Sequence, residues 1–477
     1  MSSSDARLSA LLAEVERLLR ARRATDAEPI LRRALQDGAA SCQQQSQRAA
    51  LQHYMGVCLK LQRRYADALT HLDSAVTLAP HDPQIQTSRA VVLQHLQRFD
   101  DAIAAYERLL AQNPLDMESH LQLNELLYRQ GRDHGFLGSY DVAARQIPTS
   151  PIPLATKGQF LLKLGRAQDA LEAFERALRI APQRAATLTG MARSLEALGD
   201  RPAASACFRR SVALQPHDSD VLVACAGFLL RSDDARGALD MAARAHALQP
   251  ADQAALALLG LCYRARSDTR EDQLNDYGSL VQIFDLDPPD GHADMATFNR
   301  DLADYLDALH ADTRENFSQT LRGGTRLYDE IFYNGHALVD RLHAKIDDAV
   351  RRYISGLRPD ASQPFTSRRT SAYSYTGSWS SRLCGSGFHV NHIHPAGWIS
   401  SAYYVAVPEA AADRIGRPGW LKFGEPSDDF GTGFPPRLSI QPKPGRLVLF
   451  PSYLWHGTVP YSAAQNRTTI AFDVVPR

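Results

Sequence analysis

Proline recurs at Pro80, Pro114, Pro148, Pro182, Pro216 and Pro250, a constant step of 34 residues. Other positions keep the same period. Twelve residues before each proline stand Ala68, Ala102, Phe136, Ala170, Ala204 and Ala238, and eight before it stand Leu72, Tyr106, Tyr140, Phe174, Phe208 and Ala242. Twenty-four before it come Gly56, Ala90, Asn124, Gly158, Ala192 and Ala226, a series that Gly260 continues. A period of this length leaves few folds open, because each unit is one supersecondary element that buries its apolar face only against its neighbours. Small residues let two helices approach closely, the larger residue fills the gap to the next unit, and proline ends the second helix because it cannot continue the hydrogen-bond ladder.

The stretches "RYADALTHLDSAVTLAP" and "RAQDALEAFERALRIAP" carry this pattern most fully. It resembles the tetratricopeptide repeat. The resemblance implies an all-α superhelix of antiparallel helix pairs over residues 1–265, with six to seven repeats and a groove that takes a protein or an extended peptide. The segment before residue 50 reads as helical, a degenerate first unit. The stretch "GRDHGFLGSYDVAARQIP" departs most, since Phe136 replaces the small residue, and a local bend is expected there.

Lys plus Arg and Asp plus Glu number 53 each, so no net basic field points to nucleic acid or to an anionic membrane. No run of about 18 apolar residues exists, and the N-terminus lacks the apolar core of a signal peptide. Six cysteines, Cys42, Cys58, Cys207, Cys225, Cys262 and Cys384, are scattered without CxxC spacing, which reads as free, mostly buried thiols in a reducing, cytoplasmic setting.

All four tryptophans (Trp379, Trp398, Trp420 and Trp455) lie in the last hundred or so residues, whereas alanine and leucine dominate the first 265. Residues 266–360 read as a helical connector that belongs to the second domain. It holds a polar, Pro/Gly-punctuated opening, two amphipathic helices ("MATFNRDLADYLDALHAD" and "HALVDRLHAKIDDAVRRYISGL") and a glycine-marked loop, "TLRGGTRLYD", between them. From residue 361 to 477 the chain turns β-branched and aromatic, with short runs separated by Gly and Pro, as in an all-β domain.

This β-rich part contains "FHVNHIHPAGW", with His389, His392 and His394 in six positions. On a strand, residues i and i+2 point the same way, so His392 and His394 face one side. "GRLVLFPSYLWHGTVP" places His456 just after a buried strand, and "NRTTIAFDVVP" places Arg467 and Thr469 on one face of another. Asp473 shares that face and could substitute as a ligand, but it lies three alternate positions further along, and the three histidines are preferred. Trp379, Trp398 and Trp455 read as core, Asn391 as structural, and only one of Tyr403 and Tyr404 can line an interior.

Together these stretches resemble the double-stranded β-helix (jelly-roll) of Fe(II)/2-oxoglutarate-dependent oxygenases, in particular a bacterial branch with tetratricopeptide repeats N-terminal to the oxygenase domain. The resemblance implies iron bound by His392, His394 and His456, with open positions for 2-oxoglutarate and O₂. It implies that Arg467 pairs with the far carboxylate of 2-oxoglutarate, aided by Thr469 and Tyr404. The family's usual pattern is His-x-Asp or His-x-Glu followed by a distal His. Here His394 replaces the carboxylate, or it stands behind the metal, or a bulge brings His389 in instead.

The implied activity is a 2-oxoglutarate-dependent dioxygenase, a hydroxylase acting on a protein or peptide side chain brought by the repeats. Two alternatives remain: a three-histidine non-haem iron dioxygenase that does not use 2-oxoglutarate, and a tetratricopeptide scaffold with an inactive β domain. On the leading reading, residues 270–477 suffice to bind iron and 2-oxoglutarate.

Overall fold

The computed structural model describes residues 3–20, 23–41, 45–132, 135–310, 320–327 and 330–477. Cys42 and the last two residues, 328 and 329, of the expected loop 320–329 lie outside these. The chain divides into two compact units, one of residues 1–160 with 333–335, the other of residues 161–332 and 336–477.

The first unit is helical. It contains α1 (Ser3–Arg20), α2 (Ala24–Ser41), α3 (Gln45–Leu61), α4 (Tyr65–Leu78), α5 (Pro83–His95), α6 (Phe99–Gln112), α7 (Met117–Arg129) and α8 (Gly138–Gln146), and most of α9 (Ile152–Lys163). The 34-residue period emerges as predicted. Helix α4 stops at Leu78 and α6 at Gln112, two residues before Pro80 and Pro114. The small position brings backbones together: a Cβ on Gly56 would lie 2.5 Å from Cγ of Leu72, the larger residue of the same repeat. The irregular third unit has a specific cause. Phe136 precedes the helix instead of entering it, and the side chain of Asn124 accepts the backbone N–H of Leu137 at 2.6 Å. Helix α8 therefore starts late and runs for only 9 residues.

The second unit continues the pattern with α10 (Ala167–Ile180), α11 (Ala185–Ala197), α12 (Arg201–Leu214), α13 (Ser219–Arg231), α14 (Ala235–Leu248) and α15 (Gln253–Ala265). The short helices α16 (Arg270–Leu274) and α17 (Tyr277–Leu280) follow, with α18 (Met295–His310) and α19 (Ala337–Gly356) further on. Among the described residues, no helix is long and apolar enough to cross a membrane.

The β domain is built of two antiparallel sheets. The larger has the order β1 (Gln282–Asp285), β7 (Arg446–Pro451), β4 (Ile399–Ala406), β9 (Arg467–Pro476), β3 (Tyr373–His389) and β2 (Leu321–Leu327). The smaller has the order β6 (Leu438–Ile440), β5 (Leu421–Phe423) and β8 (His456–Thr458). On β9 the alternation is strict. Ile470, Phe472 and Val474 face the helix-covered side, where Phe472 packs near Phe332 and Tyr375, while Arg467, Thr469, Ala471 and Asp473 face the cavity between the sheets.

Two expectations for the connector change. Its polar opening also contributes strand β1, which pairs with β7. The glycine-marked "loop" is strand β2, paired with β3 through a bulge between Arg322 and Gly324. The glycines are there because the strands come very close: a Cβ on Gly324 would sit 2.3 Å from the Arg382 carbonyl oxygen, and Gly323 has φ of +64°. Glycine in a strand marks a bulge as readily as a turn.

Candidate metal centre

After β3 ends at His389, the chain does not continue as a regular strand through the His-x-His segment, as the sequence reading assumed. It makes a single bridge to the start of β8. The His392 N–H donates to the His456 carbonyl at 2.9 Å, and the His456 N–H donates back to His392 at 3.0 Å. Residues opposed in this way project their side chains from the same face. Two residues on, the His394 N–H donates to the Ser452 carbonyl at 2.9 Å, so the i, i+2 relation survives and all three imidazoles meet. Their ring centroids lie 4.3 Å (His392–His456), 5.1 Å (His392–His394) and 5.0 Å (His394–His456) apart.

Each ring is oriented from behind. Nδ1 of His392 donates to the Val390 carbonyl at 2.7 Å, Nδ1 of His456 to the Leu454 carbonyl at 2.9 Å, and Nδ1 of His394 to the Asp473 carboxylate at 2.6 Å. A carbonyl only accepts, so Nδ1 carries the proton and a neutral ring keeps a bare Nε2. One nitrogen from each ring lies within 4.8 Å of the others, and Nε2 of His392 is 3.2 Å from Nε2 of His394. Burial, reinforced by the neighbouring His394, pushes His392 down to about 3, and burial holds His456 well below the usual histidine range. Three imidazoles whose ring nitrogens converge on one region, each anchored at Nδ1, are a donor set that suits a divalent transition metal.

His389 lies at the edge of this group, its ring centroid 6.2 Å from that of His392, and lines the same cavity. It is outside the convergent set, so the alternative of His389 entering through a bulge is not the arrangement seen. Burial also holds it well below the usual range.

The cavity has a volume of about 280 Å³ and runs along β9 from Asp473 to Arg467. Arg467 is 2% exposed. Its Nε–H donates to the Gly419 carbonyl at 3.2 Å, and its guanidinium carbon lies 5.0 Å from the centre of the Tyr404 ring. It forms no ion pair among the described residues. Thr469 lines the cavity, opposite Tyr404 on one neighbouring strand and Ser381 on the other. Tyr404 therefore stacks on Arg467, while Tyr403 faces away and donates to the Asn299 side chain on α18 at 2.7 Å.

Asp473 is not a member of the convergent set but stands behind it: β9 spans the whole cavity, and the same alternation that places Arg467 at one end places Asp473 against His394 Nδ1 at the other. The tryptophans also divide. Trp398 is core, fully buried with its indole N–H on the Phe365 carbonyl at 3.0 Å. Trp379, expected in the core, is instead a cavity wall, with Arg326 stacked on it at 4.1 Å. Asn391 is structural as expected, donating to the Pro426 carbonyl at 2.9 Å.

Residues 377–473, which include every site residue named above, match the family described as "Putative 2OG-Fe(II) oxygenase". Tetratricopeptide-repeat families match residues 12–83, 87–151 and 152–217. The chain carries tetratricopeptide repeats and a 2OG-Fe(II) oxygenase domain. No curated protein matches it. Among solved structures it is similar to yeast Tom70, with 14% identity and a TM-score of 0.35 over 54% of this chain and 61% of that one. It is also similar to a tetratricopeptide repeat protein from Parabacteroides merdae, with 17% identity and a TM-score of 0.33 over 54% of this chain and 98% of the other. The C-terminal part of a repeat-containing protein from Cytophaga hutchinsonii is 14% identical, with a TM-score of 0.35 over 52% and 99% of the two chains. Within the oxygenase domain, the departure from the usual His-x-Asp/Glu pattern stands: the second position of the motif is His394, and a carboxylate, Asp473, stands directly behind it.

Proposed function

We propose that this protein is an Fe(II)- and 2-oxoglutarate-dependent hydroxylase whose substrate is a side chain of a protein or peptide recruited by the repeats. The observation that carries the proposal is the convergence of three Nε2 atoms, each freed by a hydrogen bond at Nδ1, in a cavity that also contains a buried arginine without a counter-ion. His392, His394 and His456 would hold the metal. Iron held there would supply, with O₂ and 2-oxoglutarate, the oxidising power for a C–H bond, the 2-oxoglutarate being converted to succinate and CO₂.

The remaining residues bind and orient. Arg467 takes the distal carboxylate of 2-oxoglutarate, a charge-assisted and bidentate contact to a buried guanidinium. Tyr404 holds the guanidinium flat from below, and Thr469 offers a hydroxyl beside it. Asp473 keeps the His394 proton on Nδ1. Trp379 and Ser381 wall the cavity on the β3 side.

Succinate formation followed by proton NMR, in protein supplied with Fe(II), 2-oxoglutarate and O₂, tests this reading. We expect slow succinate release without substrate, abolished in Arg467→Ala. The replacement of the usual carboxylate by His394 favours a second reading, a three-histidine dioxygenase in which Arg467 binds a substrate carboxylate. Iron binding without any 2-oxoglutarate turnover supports that one, and failure to bind iron supports a scaffold with an inactive β domain.

A further inference from the structure

We infer that Arg264, on the last repeat helix, is a positioning residue for the metal-binding histidines, so that the final repeats are part of the metal site's frame; this rests on the reading that His392, His394 and His456 bind a metal.

The inference comes from one loop. Between β5 and β6 the chain leaves the small sheet at Gly424 and returns at Arg437, whose N–H donates to the Phe423 carbonyl at 2.8 Å. The loop touches both strands that carry metal-facing histidines. The Gly424 N–H donates to the carbonyl of Trp455 at 2.8 Å, and Phe423 is paired with His456. On the other side, Pro426 accepts the side chain of Asn391, the residue before His392.

The same loop is gripped from the repeats. Nη1 of Arg264 donates to the Gly424 carbonyl and Nη2 to the Pro435 carbonyl, both at 2.7 Å, so one guanidinium ties the two ends of the loop together. The guanidinium also lies 4.6 Å from the centre of the Phe434 ring, and Arg231 on α13 lies 5.3 Å from that of Phe430. Phe430, Phe434 and Trp455 pack against Leu230, Leu261 and Cys262 of α13 and α15. At the loop's end, Arg437 is ion-paired with the buried Glu271 of α16.

Loops of this length held only at their ends are usually mobile. This one is fixed by a planar fork donating to two carbonyls, a geometry a lysine cannot reproduce. Its immobility is passed to the residue before His456 and the residue before His392 through single hydrogen bonds. Ligand orientation by surrounding groups typically changes metal affinity by about 10- to 100-fold.

The test uses the full-length protein and Co(II) as probe, read by its visible absorption and by competition with a chelator. We expect Arg264→Gln to weaken Co(II) binding by about tenfold or more and to alter the Co(II) spectrum, Arg264→Lys to fall in between, and Phe434→Leu, which leaves both carbonyl contacts possible, to weaken it less than Arg264→Gln. Arg244→Ala is the control. Arg244 makes a comparable repeat-to-carbonyl contact, donating to Pro216 at 3.1 Å, but touches nothing in the oxygenase domain. Equal affinity and an identical spectrum in wild type, Arg264→Gln and Arg264→Lys would overturn the inference, as would an equal loss in Arg244→Ala. A wild-type protein that fails to bind Co(II) would instead overturn the metal reading on which it rests.

Discussion

The Asp473 carboxylate holds the Nδ1 proton of His394 at 2.6 Å, and the Ser400 hydroxyl donates to the same carboxylate oxygen at 2.6 Å. Ser400 in turn contacts Ser452 at 2.8 Å, and the Ser452 carbonyl accepts the backbone N–H of His394. The loop of contacts closes on His394 from both its ring and its backbone, leaving the ring little freedom to rotate away from its two partners. An anionic acceptor at Nδ1 also makes Nε2 a better donor to a metal.

Replacing this carboxylate tests its role. Asp473→Asn keeps the size and one acceptor but removes the charge, and we expect metal affinity to fall about 10- to 100-fold while the far-ultraviolet circular dichroism is unchanged. Isothermal titration with a divalent metal measures it; an affinity equal to wild type would show that the contact is only structural.

Loss of a ligand is more severe than loss of its support. His392→Ala and His456→Ala are each expected to abolish stoichiometric Fe(II) binding, because the two residues are a bridged pair and neither can be replaced from the other strand. Iron content after anaerobic loading and desalting decides this, and one-to-one iron in both variants would move the metal elsewhere.

Arg467 carries two expectations of different sign. A buried cation with no counter-ion among the described residues is costly, so Arg467→Met should leave the ligand-free protein at least as heat-stable as wild type. Removal of a charge-assisted bidentate contact should nevertheless weaken 2-oxoglutarate by about 2–4 kcal/mol, roughly thirty- to a thousandfold. Thermal melts with and without 2-oxoglutarate measure both at once, since a ligand that binds only the folded state raises the midpoint. A large 2-oxoglutarate-dependent shift surviving in Arg467→Met would place the cosubstrate's cation elsewhere.

His310 provides the pH test. It is buried between α18 and the sheet, with Nε2 3.0 Å from the Ser380 hydroxyl and Nδ1 2.8 Å from that of Thr325, and burial pushes it down to about 4. Since the folded value lies below the unfolded one, the unfolded chain takes up the proton first. The contribution of His310 is therefore complete above about pH 6.5, falls as the pH drops towards 4, and is lost in full below that. The full loss is about 3 kcal/mol. Denaturant melts of wild type and His310→Gln between pH 4 and 7 should show a shallower decline in the variant; parallel declines would remove His310 as a cause.

What was legible in the sequence follows the range of the interactions. The repeats announce themselves because a 34-residue period needs only local registration, as Gly56 against Leu72 illustrates. His392, His394, Arg467 and Thr469 line one cavity because side chains alternate on extended chain, a rule that holds even where the His-x-His segment is a bridge. Asp473 obeyed the same rule and was set aside, because its partner lies 79 residues away and no spacing records it. The role of Arg264 was illegible for the same reason, since the Gly424 and Pro435 carbonyls it grips lie 160 and 171 residues away. The pair Gly323–Gly324 misled because a bulge and a turn use the same residue.

The grip of α13 to α16 on the β5–β6 loop has a consequence for how such a chain can be recombined. Cutting near residue 270, where the composition changes, would leave Phe430, Phe434 and Trp455 bare and the β5–β6 loop untied. A fragment cut there lacks the Arg264 fork and the apolar cover from α13 and α15. The compact unit begins instead near residue 161, inside α9. The repeats before that point form the other compact unit with residues 333–335, while those after it share one unit with the candidate metal centre.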